Sequence, residues 1–168
     1  MRQQEHILVS VVVVVVLLLL QSTFIPLISL LGVVPDLLLI WLVYIALRRG
    51  QIEATVAGFA AGLLQDIVAT KFLGLAALAK TVTGFILGYF YNENTTEATL
   101  GSYRFTLLVL LAGFIHNLLY FFIFLQNADE VVLVRTIGLS LAHAIYSAVI
   151  AILVMFLFSR RFRTAAFE

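Results

Sequence analysis

The sequence predicts an all-α integral membrane protein, a six-helix transmembrane bundle, on three observations: its composition, the spacing of its apolar runs and the placement of its basic residues. Of 168 residues, 63% are hydrophobic and 11% are charged, with a mean hydropathy of +1.14. Soluble domains are about half apolar and about a quarter charged, so this chain departs from them toward lipid exposure. No Pro/Gly/Ser-rich linker divides it, and residues 1–168 read as a single transmembrane domain. Cysteine is absent, which excludes disulfides, thiolate metal sites and cysteine nucleophiles. A net charge of +1 is too balanced for a nucleic-acid binder.

Crossing the hydrocarbon takes about 20 helical residues, fewer where the bilayer thins. The first span covers 7–25, with a kinked continuation past Pro26 toward Leu31. It resembles a signal peptide, but no small-x-small cleavage site follows, so it reads as an uncleaved span. Pro35-Asp36 opens the second span, 35–47: proline suits a first helical turn, and the carboxylate favours its positive end. Arg48-Arg49-Gly50 stops it. The third span covers 52–67 and the fourth 72–91. After the polar stretch 92–102 comes the fifth, 105–125. Asp129-Glu130 caps the sixth, 131–158, which ends at Arg160-Arg161-Phe162-Arg163. The second and third spans are short, and their Pro, Gly and Asp place them inside the bundle, where protein can satisfy irregular backbone. The alternative fuses them into one re-entrant hairpin. The valine- and leucine-rich first helix reads as lipid-facing.

Charge sets the orientation. Six alternating spans with both termini cytoplasmic put Arg2, Arg48, Arg49, Arg104, Arg160, Arg161 and Arg163 inside, seven of the ten basic residues. Lys71, Lys80 and Arg135 remain, and the outer connections 21–34 and 126–130 contain neither Lys nor Arg. This is the positive-inside pattern. Tyr44, Tyr89, Tyr91 and Tyr103 fall at the inner ends, as an aromatic belt would. The longest polar stretch, 92–104, has 13 residues and is too short to fold alone.

Ionisable groups at membrane depth are costly and face a bundle interior or cavity. Gly58, Gly62 and Asp66 share one face of the third helix, and Lys80, Gly84 and Gly88 share one face of the fourth. The glycines permit close backbone approach, as in small-xxx-small packing. On this spacing Asp66 is expected to receive Lys80, whose stem bridges a difference in level. The bland reading is a structural ion pair that fixes helix register, and the functional one a substrate or proton site. His116-Asn117 on the fifth helix and His143 on the sixth lie at similar depth. A proton relay, or two neutral histidines bonding across the bundle near Ser140 and Ser147, explains them, with interior packing preferred. The sequence has no Gly-x-x-x-x-Gly-Lys-Ser/Thr loop, no His-Glu-x-x-His and no Gly-x-Ser-x-Gly. Asp36 and Asp66 are two carboxylates at outer helix ends, each with its own structural explanation. The reading is therefore of a non-enzyme with no cofactor and no metal.

Residues 34–91 carry a pattern in fixed order: Pro35-Asp36, Ala46-Leu47-Arg48-Arg49-Gly50, Gly58 through Gly62 to Asp66, Leu73-Gly74 to Lys80, and Thr83-Gly84 to Gly88. This resembles MreD, the bacterial rod shape-determining membrane protein, and length and span count fit as well. The resemblance implies a non-enzymatic partner of MreC in the cell-wall elongation complex of the inner (cytoplasmic) membrane, alongside MreB filaments, RodA and a class B transpeptidase. It also implies a fold similar to the substrate-binding component of energy-coupling-factor transporters, with Pro35, Asp36, Gly62, Asp66, Gly74, Lys80 and Gly84 as signature positions.

That fold keeps a second function open, a substrate-binding component of such a vitamin transporter. Transporter components of this kind dock their energising subunit through small residues on the first helix. Here that helix, from Val9 to Leu20, has one serine and no alanine or glycine. The expectation is therefore a structural membrane subunit whose apolar grooves hold MreC. Membrane lipids are the remaining contact, including anionic lipid at Arg160, Arg161 and Arg163, where a plain stop-transfer anchor serves equally well.

Overall fold

The computed structural model describes the backbone of residues 2–29, 32–69, 72–124 and 130–165, with side chains for 8–24, 27–29, 32–69, 72–123, 134 and 136–156. The side chains of Arg2, Lys71, Asp129, Glu130, Arg135, Arg160, Arg161 and Arg163, which entered the orientation and capping arguments, lie outside the described residues.

The described chain is an all-α bundle. Its helices are α1 (Arg2–Thr23), α2 (Leu37–Ala69), α3 (Leu75–Leu87), α4 (Thr96–Leu100), α5 (Tyr103–Phe124) and α6 (Glu130–Ala165), with short 3₁₀ turns at Ile25–Ile28 and Gly88–Phe90. Three of them are long and apolar enough to cross a membrane: Leu37–Ala69, Tyr103–Ile123 and Thr136–Phe156; Leu8–Thr23 and Leu75–Phe90 are shorter apolar helices. β-branched runs such as Val11 to Val16 are helical in α1 because lipid leaves the backbone no partner outside its own segment.

Helix α2 is not one rod. Gly50 has φ 79° and ψ −169°, a region of backbone space essentially open to glycine alone. A Cβ placed on Gly58 would lie 3.4 Å from the Leu42 side chain. In a straight helix those two residues would stand about 24 Å apart along the axis. The arm 51–69 therefore folds back on the arm 37–49, and Leu38 and Ala61 meet in one cluster with Val14 and Leu18 of α1. Arg48-Arg49-Gly50 thus stops one helix and starts the next with no intervening loop.

Helix α3 runs back against the second arm of α2 with almost no separation. A Cβ on Gly58 would lie 2.5 Å from the Lys80 carbonyl oxygen, one on Gly84 2.5 Å from that of Ala54, and one on Gly62 2.5 Å from the Ala77 Cα. Gly88 sits directly on the Gln51 backbone. Helices α5 and α6 form a second antiparallel pair, with a Cβ on Gly113 only 2.8 Å from the Ala144 Cα. Helix α3 contacts α5, and both arms of this second pair reach α2. Among the described residues α1 packs on α2 and on its own 3₁₀ turn.

The core is built on the first arm of α2. Leu39, Leu42, Val43 and Ala46 are wholly buried, against Leu87, Leu100, Phe105, Val109 and Ala151 from the surrounding helices. Large apolar side chains cover the outside, including Val9, Val12, Val16 and Leu19 of α1 and Ile145, Val149 and Leu153 of α6, as a lipid-facing surface requires. The polar stretch between the fourth and fifth expected spans is not a plain loop. It holds α4, whose Thr96 and Leu100 are buried, and the Thr96 hydroxyl donates to the Leu47 carbonyl at 2.9 Å, closing the basic end of the bundle.

Candidate functional site: a buried polar cluster

The segment before α2 is extended because Pro35 disfavours a helical residue ahead of it, and Gly32 turns the chain with φ 82°. Asp36 then caps α2. Its Oδ1 accepts from the Leu39 N–H at 3.0 Å, the bond an N-cap side chain makes to the third helical residue. Helix α6 holds the same segment from the side. Ser147 Oγ accepts from the Asp36 N–H at 3.0 Å, and His143 Nδ1 lies 2.9 Å from the Val34 carbonyl oxygen. Tyr146 donates to the Ile28 carbonyl at 2.7 Å.

The second carboxylate oxygen, Asp36 Oδ2, forms an ion pair with Lys80 Nζ. The Lys80 side chain is 0% exposed and that of Asp36 is 13% exposed. His116 of α5 completes the cluster, with Nε2 3.5 Å from Lys80 Nζ and 3.7 Å from Asp36 Oδ2. Three elements thus each contribute one charged or polar group: the start of α2, the middle of α3 and the middle of α5. Their mutual neutralisation makes burial tolerable, since an isolated charge at this depth would be costly.

The expected Asp66–Lys80 pair is not formed. Asp66 is buried, and its carboxylate accepts from three backbone N–H groups at the start of α3: Gly74 at 2.9 Å, Ala76 at 3.0 Å and Ala77 at 3.2 Å. Helix α3 begins after Gly74, which has no side chain to cap it, so its free donors and positive end take the nearest carboxylate. Lys80 is left for Asp36. The two histidines also part company: His143 binds the backbone at Val34, while His116 faces Lys80 and Asp36. Asn117 turns to its own helix, donating to the Gly113 carbonyl at 2.8 Å.

Sequence reasoning singled out every member of this cluster but missed two of its connections. Ser147 at the Asp36 backbone and Gln21, whose Oε1 accepts from the Leu38 N–H at 3.4 Å, close α2 from both sides. The available signal was the unsatisfied first turn of a helix opened by proline, whose N–H groups need acceptors from neighbouring helices. Buried atoms without a hydrogen-bond partner include His116 Nδ1 and Ser140 Oγ. Among the described residues no group of three or more His, Asp or Glu side chains is placed to hold a metal ion.

Chemically the cluster is a set of ties. Asp36 joins α2 to α3, Asp66 joins α2 to the start of α3, and His143 and Ser147 join α6 to the strap before α2. The whole pattern, from the first helix to the basic end of α6, matches the family described as rod shape-determining protein MreD over residues 1–164. The chain belongs to that family. It is a rod shape-determining membrane protein, and its polar cluster falls within the matched region. No match was found among curated proteins or among solved structures.

Proposed function

We propose that this protein is a non-enzymatic membrane subunit of the bacterial cell-wall elongation complex that binds MreC and helps maintain rod shape. It sits in the cytoplasmic membrane with six crossings and both termini cytoplasmic, the two arms of α2 counting as separate crossings. Through MreC it associates with MreB, RodA and a class B transpeptidase. The observation that carries the reading is family membership over nearly the whole chain. The disposition of the charges supports it, because Lys80, Asp36 and Asp66 are engaged with one another's helices rather than turned toward a substrate.

A groove of about 270 Å³ suits such a partner. It is wholly apolar and lies over the first arm of α2, where Leu37, Ile40, Trp41 and Tyr44 form a stripe at helical spacing between Leu17 of α1 and Val154 of α6. A single apolar helix packs on a stripe of this spacing through side-chain interdigitation. The vitamin-transporter alternative needs its charges on a pocket open to the outside, whereas the Lys80 side chain is 0% exposed.

The test is co-purification with MreC from detergent. The reading predicts co-elution, and loss of co-elution when Ile40→Trp fills the groove. Failure to co-elute, with a vitamin bound instead, would overturn it.

A further inference from the structure

A second groove, of about 480 Å³, lies at the basic end of the bundle, between the end of α3, α4 and the start of α5. Its walls are of two kinds. Leu107 and Leu108 on α5 and Phe90 after α3 form an apolar side, while Asn92, Thr95, Thr99 and Arg104 form a polar one. The exposed aromatics Tyr89 and Tyr91 also line the groove, and exposed Tyr103 precedes Arg104, as residues of an interfacial belt would.

The polar side is lined with donors that have no acceptor in the described structure. Threonines inside the helices, by contrast, donate to their own backbone: Thr55 to Gln51 O, Thr81 to Ala77 O and Thr83 to Ala79 O. Thr95 is the N-cap of α4 and yet makes no side-chain cap bond, and Thr99 lies four residues on, on the same face. Charge points the same way. Arg48 pairs with Glu97 at 2.6 Å and Arg49 with Glu53 at 2.9 Å, while Lys80 is buried on Asp36. Arg104 is the described cation that meets no carboxylate. Glu97, two residues from both Thr95 and Thr99, turns to Arg48 on the other side of α4, and Glu93 pairs with no described cation.

From this we infer that the groove is a binding site for an anionic phospholipid of the leaflet facing Arg48, Arg49 and Arg104. The phosphate sits on the Arg104 guanidinium within reach of the Thr95 and Thr99 hydroxyls and the Asn92 amide. An acyl chain runs along Leu107 and Leu108 into the hydrocarbon. A guanidinium with hydroxyl donors suits a phosphate diester, and an apolar wall continuous with the lipid-facing surface suits its tail.

The test uses the full chain, delipidated in detergent and titrated with phosphatidylglycerol or phosphatidylethanolamine, with bound lipid counted by native mass spectrometry. Phosphatidylglycerol is expected to bind in preference. Arg104→Gln should weaken it by about tenfold or more, the loss of a charge-assisted bond to the phosphate. Thr95→Val should weaken it as well, and Arg48→Gln should leave it unchanged. Equal binding of the two lipids, an Arg104→Gln variant that retains the preference, or equal losses in Arg104→Gln and Arg48→Gln would each overturn the assignment. Thermal unfolding of each variant without added lipid shows that the fold is intact.

Discussion

Lys80 and Asp36 stand 44 residues apart in the chain and close on each other inside the bundle, with the lysine side chain fully buried. The pair is asymmetric in its duties. Asp36 gives one oxygen to the Leu39 N–H as a helix cap and the other to Lys80, whereas Lys80 faces Asp36 and His116.

Separate substitutions therefore separate the roles. Lys80→Met leaves the Asp36 carboxylate unpaired and should destabilise the bundle by about 3–5 kcal/mol, the cost of breaking one side of a buried pair. Asp36→Asn keeps the cap but strands the lysine and should cost a similar amount, while Asp36→Ala loses the cap too, about 1 kcal/mol more. Thermal unfolding in detergent ranks the three. A Lys80→Met variant as stable as the parent would show that the pair does not hold the helices.

Asp66 should act on one helix end. Asp66→Leu removes the acceptor for the Gly74, Ala76 and Ala77 N–H groups and leaves buried donors unmade, at about 1–3 kcal/mol. Hydrogen exchange should accelerate at Ala76 and Ala77 more than in the middle of α5. Unchanged exchange at these two amides would contradict the cap.

The glycines divide into those that pack and those that do not. Gly84→Leu would drive a side chain into the Ala54 carbonyl, so the α2–α3 seam must open and the protein should fail to accumulate. Gly138 has nothing within 4 Å of a Cβ position, and Gly138→Ala should change stability by no more than about 1 kcal/mol. Gly50→Ala should cost about 1–3 kcal/mol through its backbone conformation, although the nearest side-chain atom, on Tyr91, is an ordinary 3.4 Å away. Yield and unfolding temperature of the three variants check this order.

Much of this was legible in the sequence, and the limits are physical. The glycine spacing on residues 58–62 and 84–88 is local, and a seam at helical period needs no knowledge of the rest of the bundle. Arg48-Arg49-Gly50 likewise marks a helix end wherever it sits. The partner of Lys80 was not legible because two aspartates lie near the same helix ends, and the choice turns on a third element, the uncapped start of α3. Its signal was the absence of a capping side chain at Gly74. Counting along the helices sets His116 and His143 at similar depth, but depth does not give lateral order, which decides that one faces α3 and the other the strap at Val34. Helix α4 escaped because its five residues read as polar, while Thr96 and Leu100 turn inward.

The central claim is that the buried charges hold helices together while the bundle works by holding partners. The direct measurement is the double variant Asp36→Asn with Lys80→Met, assayed for unfolding temperature, MreC co-elution and rod shape in the same cells. Removing both charges together leaves none stranded, so the account predicts recovery of most of the stability lost in either single variant, with MreC retained and cells rod-shaped. A double variant that folds as well as the parent yet releases MreC or gives round cells would contradict it.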